Sequence, residues 1–488
     1  MDDLQRRPNE LPEPSLRDVV VLKFGGTSVE DAAAIRRLLE IVGSRLNSHP
    51  VVVVSALAGV TDQLLKAGQS AAEGYRELAL GSLLELRQRH QQVAAELLEP
   101  VDYSVLRKQL QTDFTALDDV LCAIASSEQF TARLQDHLLG FGECLSSKIV
   151  TAALKGVGIP AELVDARTCL ITDNRHTRAL PMWDETNQLL NQNLIPLLRE
   201  NRIPVLGGFI AATRDGIPTT LGRGGSDFSA AIIGAALHAQ RIEIWTDVDG
   251  IMTTDPNLCP DARLIERMSF DEAAELAHFG AKVLHPATLV PAMKQNIPVY
   301  VLNSRNPRSA GTEIVPHCSS ANAVRAVTAK RGVAAVEIQA LGAFDSELLR
   351  TIHEALDHQH CQIDMMSCAR GRISLVVAST AGLPAVAAEL QNLARVRWEN
   401  HKALVCLVGE DIRRQPGVAS RVFAAVSDMD VRVVCQGASD RTISFLVEQD
   451  RATESVQRLH ALFFPHARKQ PVPVPSSNSL CQAGDSWS

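Results

Sequence analysis

The sequence predicts an α/β protein in which a parallel-sheet domain over residues 19–310 is followed by two small ferredoxin-like α/β units at 321–400 and 401–467. Three observations predict it. Continuous apolar runs such as Val51-Val52-Val53-Val54, which suit strands buried on both faces, alternate with helix-length segments through the first part of the chain. A stretch over about 62–154 is dominated by Leu, Ala, Glu, Gln and Arg with almost no strand signal, as a helical block capping or inserted in such a domain would be. After Ala321 the texture shortens, and strand, helix, strand, strand, helix recurs twice.

Val19 to Leu22 open the first strand, and Gly25-Gly26 break it. Ser28, with Asp31 three residues on, offers an N-cap for a helix over Ala32 to Leu46. Val51 to Val54 form the second strand, ending in Ser55-Ala56-Leu57-Ala58-Gly59. Strands follow at Glu162–Asp165, Ile203–Phe209, Arg241–Trp245 and Val299–Leu302, with helices at Asp184–Glu200, Ser226–His238 and Phe270–Leu276. Beyond residue 321 the expected strands are Val324–Ala329, Ala334–Gln339, Ile373–Val377, Lys402–Val408, Val431–Cys435 and Ile443–Val447. The helices are Ser346–His358, Leu383–Leu393, Gly417–Val426 and Glu454–Phe463.

Composition narrows the function class. The 488 residues carry a net charge of −8 and only 4% aromatics, so the chain lacks the positive field and the stacking rings of a nucleic-acid binder. No uncharged apolar run approaches the roughly 18 residues of a membrane span. Residues 1–18 are charged and Pro-containing, which reads as a flexible N-terminus without a secretory core. The ten cysteines are scattered without zinc-ligand spacing, as for reduced cytoplasmic thiols. Residues 468–488, with Pro471, Pro473 and Pro475, read as a linker or disordered tail.

Three glycine- or Asp-rich motifs carry the chemistry. In Lys23-Phe-Gly-Gly-Thr-Ser, Gly25 and Gly26 let backbone N–H groups approach an anion, and Lys23 adds a full charge; the spacing is not that of a Walker A loop. A plain Gly-Gly turn beside a solvated lysine is the structural alternative. In Leu221-Gly-Arg-Gly-Gly-Ser-Asp227, three glycines surround Arg223, and Ser226 or Asp227 caps a helix, an arrangement able to hold a carboxylate or phosphate. In Trp245-Thr-Asp-Val-Asp-Gly250, Asp247 and Asp249, with Asp255 beyond, can contact a ribose or base, hold Mg²⁺ through waters, or simply shape Asx turns. Glu143 and Lys282 sit in helix-compatible sequence, and His285 before Pro286 reads as structural. No GxGxxG follows the first strand, which disfavours an NAD enzyme.

Together, Lys-Phe-Gly-Gly-Thr-Ser-Val, Leu-Gly-Arg-Gly-Gly-Ser-Asp, Trp-Thr-Asp-Val-Asp-Gly and Phe-Gly-Ala-Lys-Val-Leu-His-Pro resemble the aspartate kinase family in order and spacing, from about Val19 to Phe464. The likeness is to its lysine-sensitive type. It implies an amino-acid-kinase (carbamate-kinase-like) three-layer α/β/α domain followed by two ferredoxin-like ACT domains. The implied reaction is ATP + L-aspartate → 4-phospho-L-aspartate + ADP, the entry to lysine, threonine and methionine synthesis, with Mg²⁺ carried by ATP and no protein-held metal. By the same resemblance Lys23 and Asp227 are catalytic, Asp227 orienting Lys23. Thr61, Glu143, Arg223, Gly224, Gly225 and Ser226 bind aspartate, Glu143 facing its α-amino group and Arg223 its α-carboxylate. Lys23, Gly25, Gly26, Thr246, Asp247, Met252, Asn257 and Lys282 bind ATP. Met252 stands where relatives commonly carry tyrosine, and Asn257 where an arginine would add a cationic contact.

The ACT pair implies an amino-acid effector, with lysine favoured and Asp364 and Arg370 as its contacts, and a homodimer or homotetramer assembled through these modules. Cys368-Ala369-Arg370 replaces a Thr-Ser-Glu-like run of the lysine-sensitive type, which reverses the local charge. The Pro/Ser/Gly tail is also what the kinase part of a fusion to a diaminopimelate decarboxylase would show. Two rival readings are a same-fold kinase of another amino acid, such as glutamate, and a non-catalytic ACT amino-acid sensor.

Overall fold

The structure, a computed structural model, describes residues 18–280, 286–319, 322–437 and 439–465. The N-terminus up to residue 17, the tail 468–488, Lys282 and His285 lie outside the described residues. The chain begins β1 (Val20–Phe24), α1 (Ala32–Gly43), β2 (Pro50–Val54). Five helices follow: α2 (Val60–Ala72), α3 (Arg76–Leu97), α4 (Pro100–Ser127), α5 (Ala132–Leu139) and α6 (Phe141–Gly156). Next come β3 (Ala161–Leu163), α7 (Trp183–Arg199), β4 (Ile203–Gly207), the hairpin β5 (Ile210–Ala212) and β6 (Pro218–Thr220), and α8 (Gly225–Ala236). The first part ends with β7 (Arg241–Thr246), β8 (Arg267–Ser269), α9 (Phe270–His278), α10 (Val290–Lys294), β9 (Val299–Asn303) and β10 (Thr312–Val315).

Eight of these strands make one sheet in the order β3-β4-β2-β1-β7-β9-β10-β8, parallel except where β10 meets β9. The valine runs explain its three layers. Val21, Val51 and Val53 enter a core shared with α7 to α10, while Val20, Leu22, Phe24, Val52 and Val54 enter one shared with the helical block. A strand with apolar residues at both parities has to be covered on both faces. The chain builds outward from β1 through β2 and β4, then returns to add β7 and β9 on the other side. That reversal opens a crevice at the carboxyl ends of β1, β2, β4 and β7. The sheet also extends past residue 310, because Glu313, Ile314 and Val315 pair with β8.

The second part is one six-stranded sheet over β11 (Ala326–Ala340), α11 (Ser346–His358), β12 (Ile363–Ala369), β13 (Arg372–Val377), α12 (Leu383–Leu390), β14 (Ala394–Val408), α13 (Val418–Ala425), β15 (Arg432–Gln436), β16 (Thr442–Glu448) and α14 (Ala452–Phe463). Its order is β12-β13-β11-β14-β16-β15. This corrects the expected division at residue 400. Val324–Ala329 and Ala334–Gln339 belong to one strand, bulged near Gly332 (φ 74°), and the β14 partner runs unbroken across residue 400. Ala326 to Arg331 pair with Ala403 to Val408, so the second unit takes its first strand from before the first unit. Val324 and Val327 accordingly join the core under α13 and α14, while Val336 and Ile338 join the one under α11 and α12.

Candidate active site

The crevice holds a cleft of about 510 Å³ lined by Lys23, Gly26, Thr61, Glu143, Arg223, Gly224, Gly225, Ser226 and Asp227, together with Ser55 to Gly59, Asp62, Phe209 and Gly222. Residues that lie far apart in the chain meet there because their elements end or begin at the same sheet edge. The first turns of α2, α6 and α8 all contribute lining residues, so three partly positive helix ends face the space.

Lys23 is nearly buried on β1, and its Nζ lies 2.6 Å from Asp227 Oδ1. Asp227 is free for this pairing because it does not cap α8. The N-cap is Gly224, at φ 72°, rather than Ser226 or Asp227 as expected. Gly225 has no room for a side chain: a Cβ would come within 2.7 Å of the Phe209 ring. Asp31, not Ser28, caps α1, accepting from the Ala34 N–H at 2.7 Å, while Ser28 donates to Ser304 Oγ at 2.8 Å. Gly25 N–H donates to Trp245 O at 3.0 Å, which joins the end of β1 to that of β7.

Glu143 sits at the cleft floor with 3% exposure, and its Oε2 has no hydrogen-bond partner among the described residues. Burial pushes its carboxyl up to about 8, opposed by a backbone hydrogen bond from Ala56 and by the charge of Lys23. A buried acid with no ion-pair partner among the described residues is a receptor for a cation. Arg223 lines the same cleft from its exposed loop, supplying the opposite charge.

Other expected residues lie outside this cleft. Thr246 ends β7 beside β1 and Asp247 follows it, with the Thr246 hydroxyl donating to Asp247 Oδ1 at 3.2 Å. Met252 bridges Leu264, and the Asn257 N–H donates to Asp255 Oδ1 at 2.8 Å in an Asx turn. Asp249 Oδ1 accepts from Asn303 Nδ2 at the end of β9 at 2.9 Å, and Asp255 Oδ1 accepts from Asn257 Nδ2 within its own loop at 3.0 Å. The segment carrying Met252 and Asn257 is tied to the second part of the chain: Thr253 Oγ1 meets His460 Nε2 at 2.9 Å, and Gln457 Nε2 donates to Leu258 O at 2.8 Å.

Asp364 and Arg370 are not brought together. Asp364 lies at the start of strand β12, its side chain fully covered and paired with Lys330 Nζ at 2.6 Å. Arg370 is exposed in the turn after β12, at φ 44°, roughly 20 Å along the strand. Within one chain they cannot hold one amino acid between them. The Ser55–Gly59 loop, by contrast, was expected only as a strand end, although a run of small residues after a buried strand was the signal that it lines the site.

Residues 18–303 match the amino acid kinase family, and 405–463 match an ACT domain. The chain is 35% identical over 462 residues to the lysine-sensitive aspartokinase 3 of Escherichia coli strain K12, covering 92% of this chain and 100% of that one. It is 33% identical over 494 residues to the chloroplastic aspartokinase 2 of Arabidopsis thaliana, covering 95% and 88%. Two solved structures of E. coli aspartokinase III share the fold at 34% identity. The R-state complex with aspartate and ADP has a TM-score of 0.81, covering 91% of this chain and 100% of that one. The T-state complex with lysine and aspartate has a TM-score of 0.78, covering 92% and 100%. Alignment over nearly the whole length, and a glycine-walled cleft that gathers a lysine–aspartate pair, a buried glutamate and an arginine, lead to one conclusion: the chain belongs to the aspartate kinase family.

Proposed function

We propose that the cleft binds L-aspartate with its ammonium on Glu143 and its α-carboxylate on Arg223, and that the β-carboxylate attacks the γ-phosphate of ATP beside Lys23. The observation that carries this reading is the Lys23–Asp227 pair at 2.6 Å in the same cleft as Glu143, whose Oε2 has no partner among the described residues. A β-carboxylate is ionised near neutral pH and needs no catalytic base. One of its oxygens forms the new O–P bond, the bond from phosphorus to the bridging oxygen breaks, and ADP leaves with that electron pair. The chain's work is alignment and charge neutralisation. Lys23, steered by Asp227, faces the transferred group, and Thr61 and Ser226 add hydrogen bonds to aspartate.

The polyphosphate is assigned to the Gly25-Gly26 turn. A Cβ on Gly25 would stand 3.5 Å from Trp245 O and 3.6 Å from Lys23 Nζ, so the missing side chain leaves the approach to the lysine clear. Mg²⁺ arriving on those phosphates supplies further neutralisation. Thr246, Asp247, Met252, Asn257 and Lys282 are the proposed nucleotide side. Robust ADP release with aspartate and little with glutamate is the expected result for the purified chain; equal rates would overturn the substrate assignment.

Regulation is proposed through the ACT modules, with lysine as effector and Asp364 as the contact for its ε-ammonium. The chain already places an ammonium there, that of Lys330, so effector lysine must displace an internal competitor. Lysine is therefore expected to inhibit, to do so several-fold more potently in Lys330→Met, and to lose potency in Asp364→Ala. Inhibition curves unchanged in both variants would remove Asp364 from the effector site. We further propose self-association through β12, an open edge of the six-stranded sheet, and a cytoplasmic setting. No described helix is long and apolar enough to cross a membrane, and the described cysteines are free thiols.

A further inference from the structure

We infer that Asp136, outside the cleft, is a positioning residue for aspartate binding that holds the Arg223 loop in place from beneath. The inference rests on the reading of Arg223 as the contact for the substrate's α-carboxylate. Asp136 is a fully buried carboxylate on α5, and the reaction itself gives it no role. Its surroundings show why it is kept. Both oxygens accept from the Thr177 N–H at 3.0 Å, Oδ2 meets His176 Nδ1 at 2.7 Å, and Oδ1 accepts from Thr220 Oγ1 at 2.5 Å. A buried charge is tolerated only when several donors replace its water, and here every donor comes from segments that build the Arg223 loop.

Two routes lead from Asp136 to that loop. Thr220 ends β6 just before Leu221-Gly222-Arg223, so its side-chain bond pins the loop's entry. Thr177 holds a left-handed backbone at φ 69°, uncommon for a threonine, with Asp136 gripping its N–H. The carbonyl of Thr177 then lies so close under Gly222 that a Cβ there would be 2.9 Å away. Gly222, itself at φ 78°, rests on this floor. Ala179 N–H closes the unit by donating to Thr220 O at 3.0 Å. On its other side Asp136 belongs to α5, which runs through Gly140 directly into α6 and Glu143. One carboxylate thus couples the helix that leads into α6, the carrier of the acid for the substrate's ammonium, to the loop carrying the arginine for its carboxylate.

The test is a double-mutant cycle read as KM for each substrate and as aspartate Kd by calorimetry. Asp136→Asn is expected to raise aspartate KM and Kd about 10- to 100-fold, with ATP KM within about two-fold. Thr220→Val, which removes a single donor, should shift aspartate KM about 3- to 10-fold in the same direction, and it serves if Asp136→Asn does not fold. In an Arg223→Ala background either substitution should add little further loss, because the group they position is gone. Equal loss for both substrates, or full additivity with Arg223→Ala, would overturn the positioning role while leaving the substrate assignment standing. An unchanged aspartate KM in Arg223→Ala alone would overturn both.

Discussion

Replacing Lys23 with alanine is expected to lower kcat by about 10²- to 10³-fold while aspartate KM changes no more than a few-fold, the usual effect of removing one preorganised donor from a developing charge. The ammonium is held by Asp227 at 2.6 Å, so its position is set before substrates arrive. It lies beside Gly25, the proposed path of the phosphate, whereas aspartate's α-groups are assigned to Glu143 and Arg223. The loss should therefore fall on turnover. Asp227 would be left nearly buried without its cation, so the Lys23→Ala, Asp227→Asn double variant should recover thermal stability but not rate. Steady-state ADP release together with aspartate calorimetry checks both halves. A kcat within a few-fold of the parent would place Lys23 outside the reaction.

The second large effect is expected at Glu143. In Glu143→Gln the substrate ammonium loses its anion, and leaving a desolvated charge half-paired costs roughly 3–5 kcal/mol, so aspartate affinity should fall by at least about 10²-fold. The pH dependence follows from the raised carboxyl. In the empty cleft Glu143 titrates near 8, so it is mostly protonated at neutral pH, and binding an ammonium requires the ionised form. Aspartate binding should therefore release a proton, and affinity should gain up to about tenfold per pH unit as pH rises toward 8, then level off. Stability of the empty protein runs the other way. Burial lifts the group from 4.5 to about 8, so its contribution is complete below 4.5 and is lost as pH climbs through 8. Glu143→Gln should flatten both profiles. Calorimetry in two buffers of different ionisation enthalpy, with melting curves across pH 5–9, measures them; an aspartate affinity in Glu143→Gln equal to the parent's at every pH would remove Glu143 from the site.

Much of this site was legible without the fold. The Val-rich β1 and β2 announce strands covered on both faces, and glycines at 25, 26, 222, 224 and 225 mark where backbone must come close to something. Short elements were not legible. β5, β6 and β8 span three residues each and β10 four, too few to show a period. The boundary inside the regulatory half is hidden because the bulge at Gly332 in β11 reads locally like a turn between two strands. Asp364 looked like a free effector contact because its partner, Lys330, lies on another strand.

The sequence by itself determined which of the longer segments become strands and helices, which faces they bury, and which glycine-rich turns can approach an anion. Those properties depend on residues within a few positions of each other and on the water they avoid. Only the tertiary structure decided which charges are answered. Lys23 finds Asp227, Lys330 takes Asp364, Asp136 collects Thr177, His176 and Thr220, and Glu143 Oε2 is left without a partner among the described residues. Coulomb attraction and desolvation act through distance in space, and a chain that folds β1 against β7 sets those distances between residues that no local pattern connects.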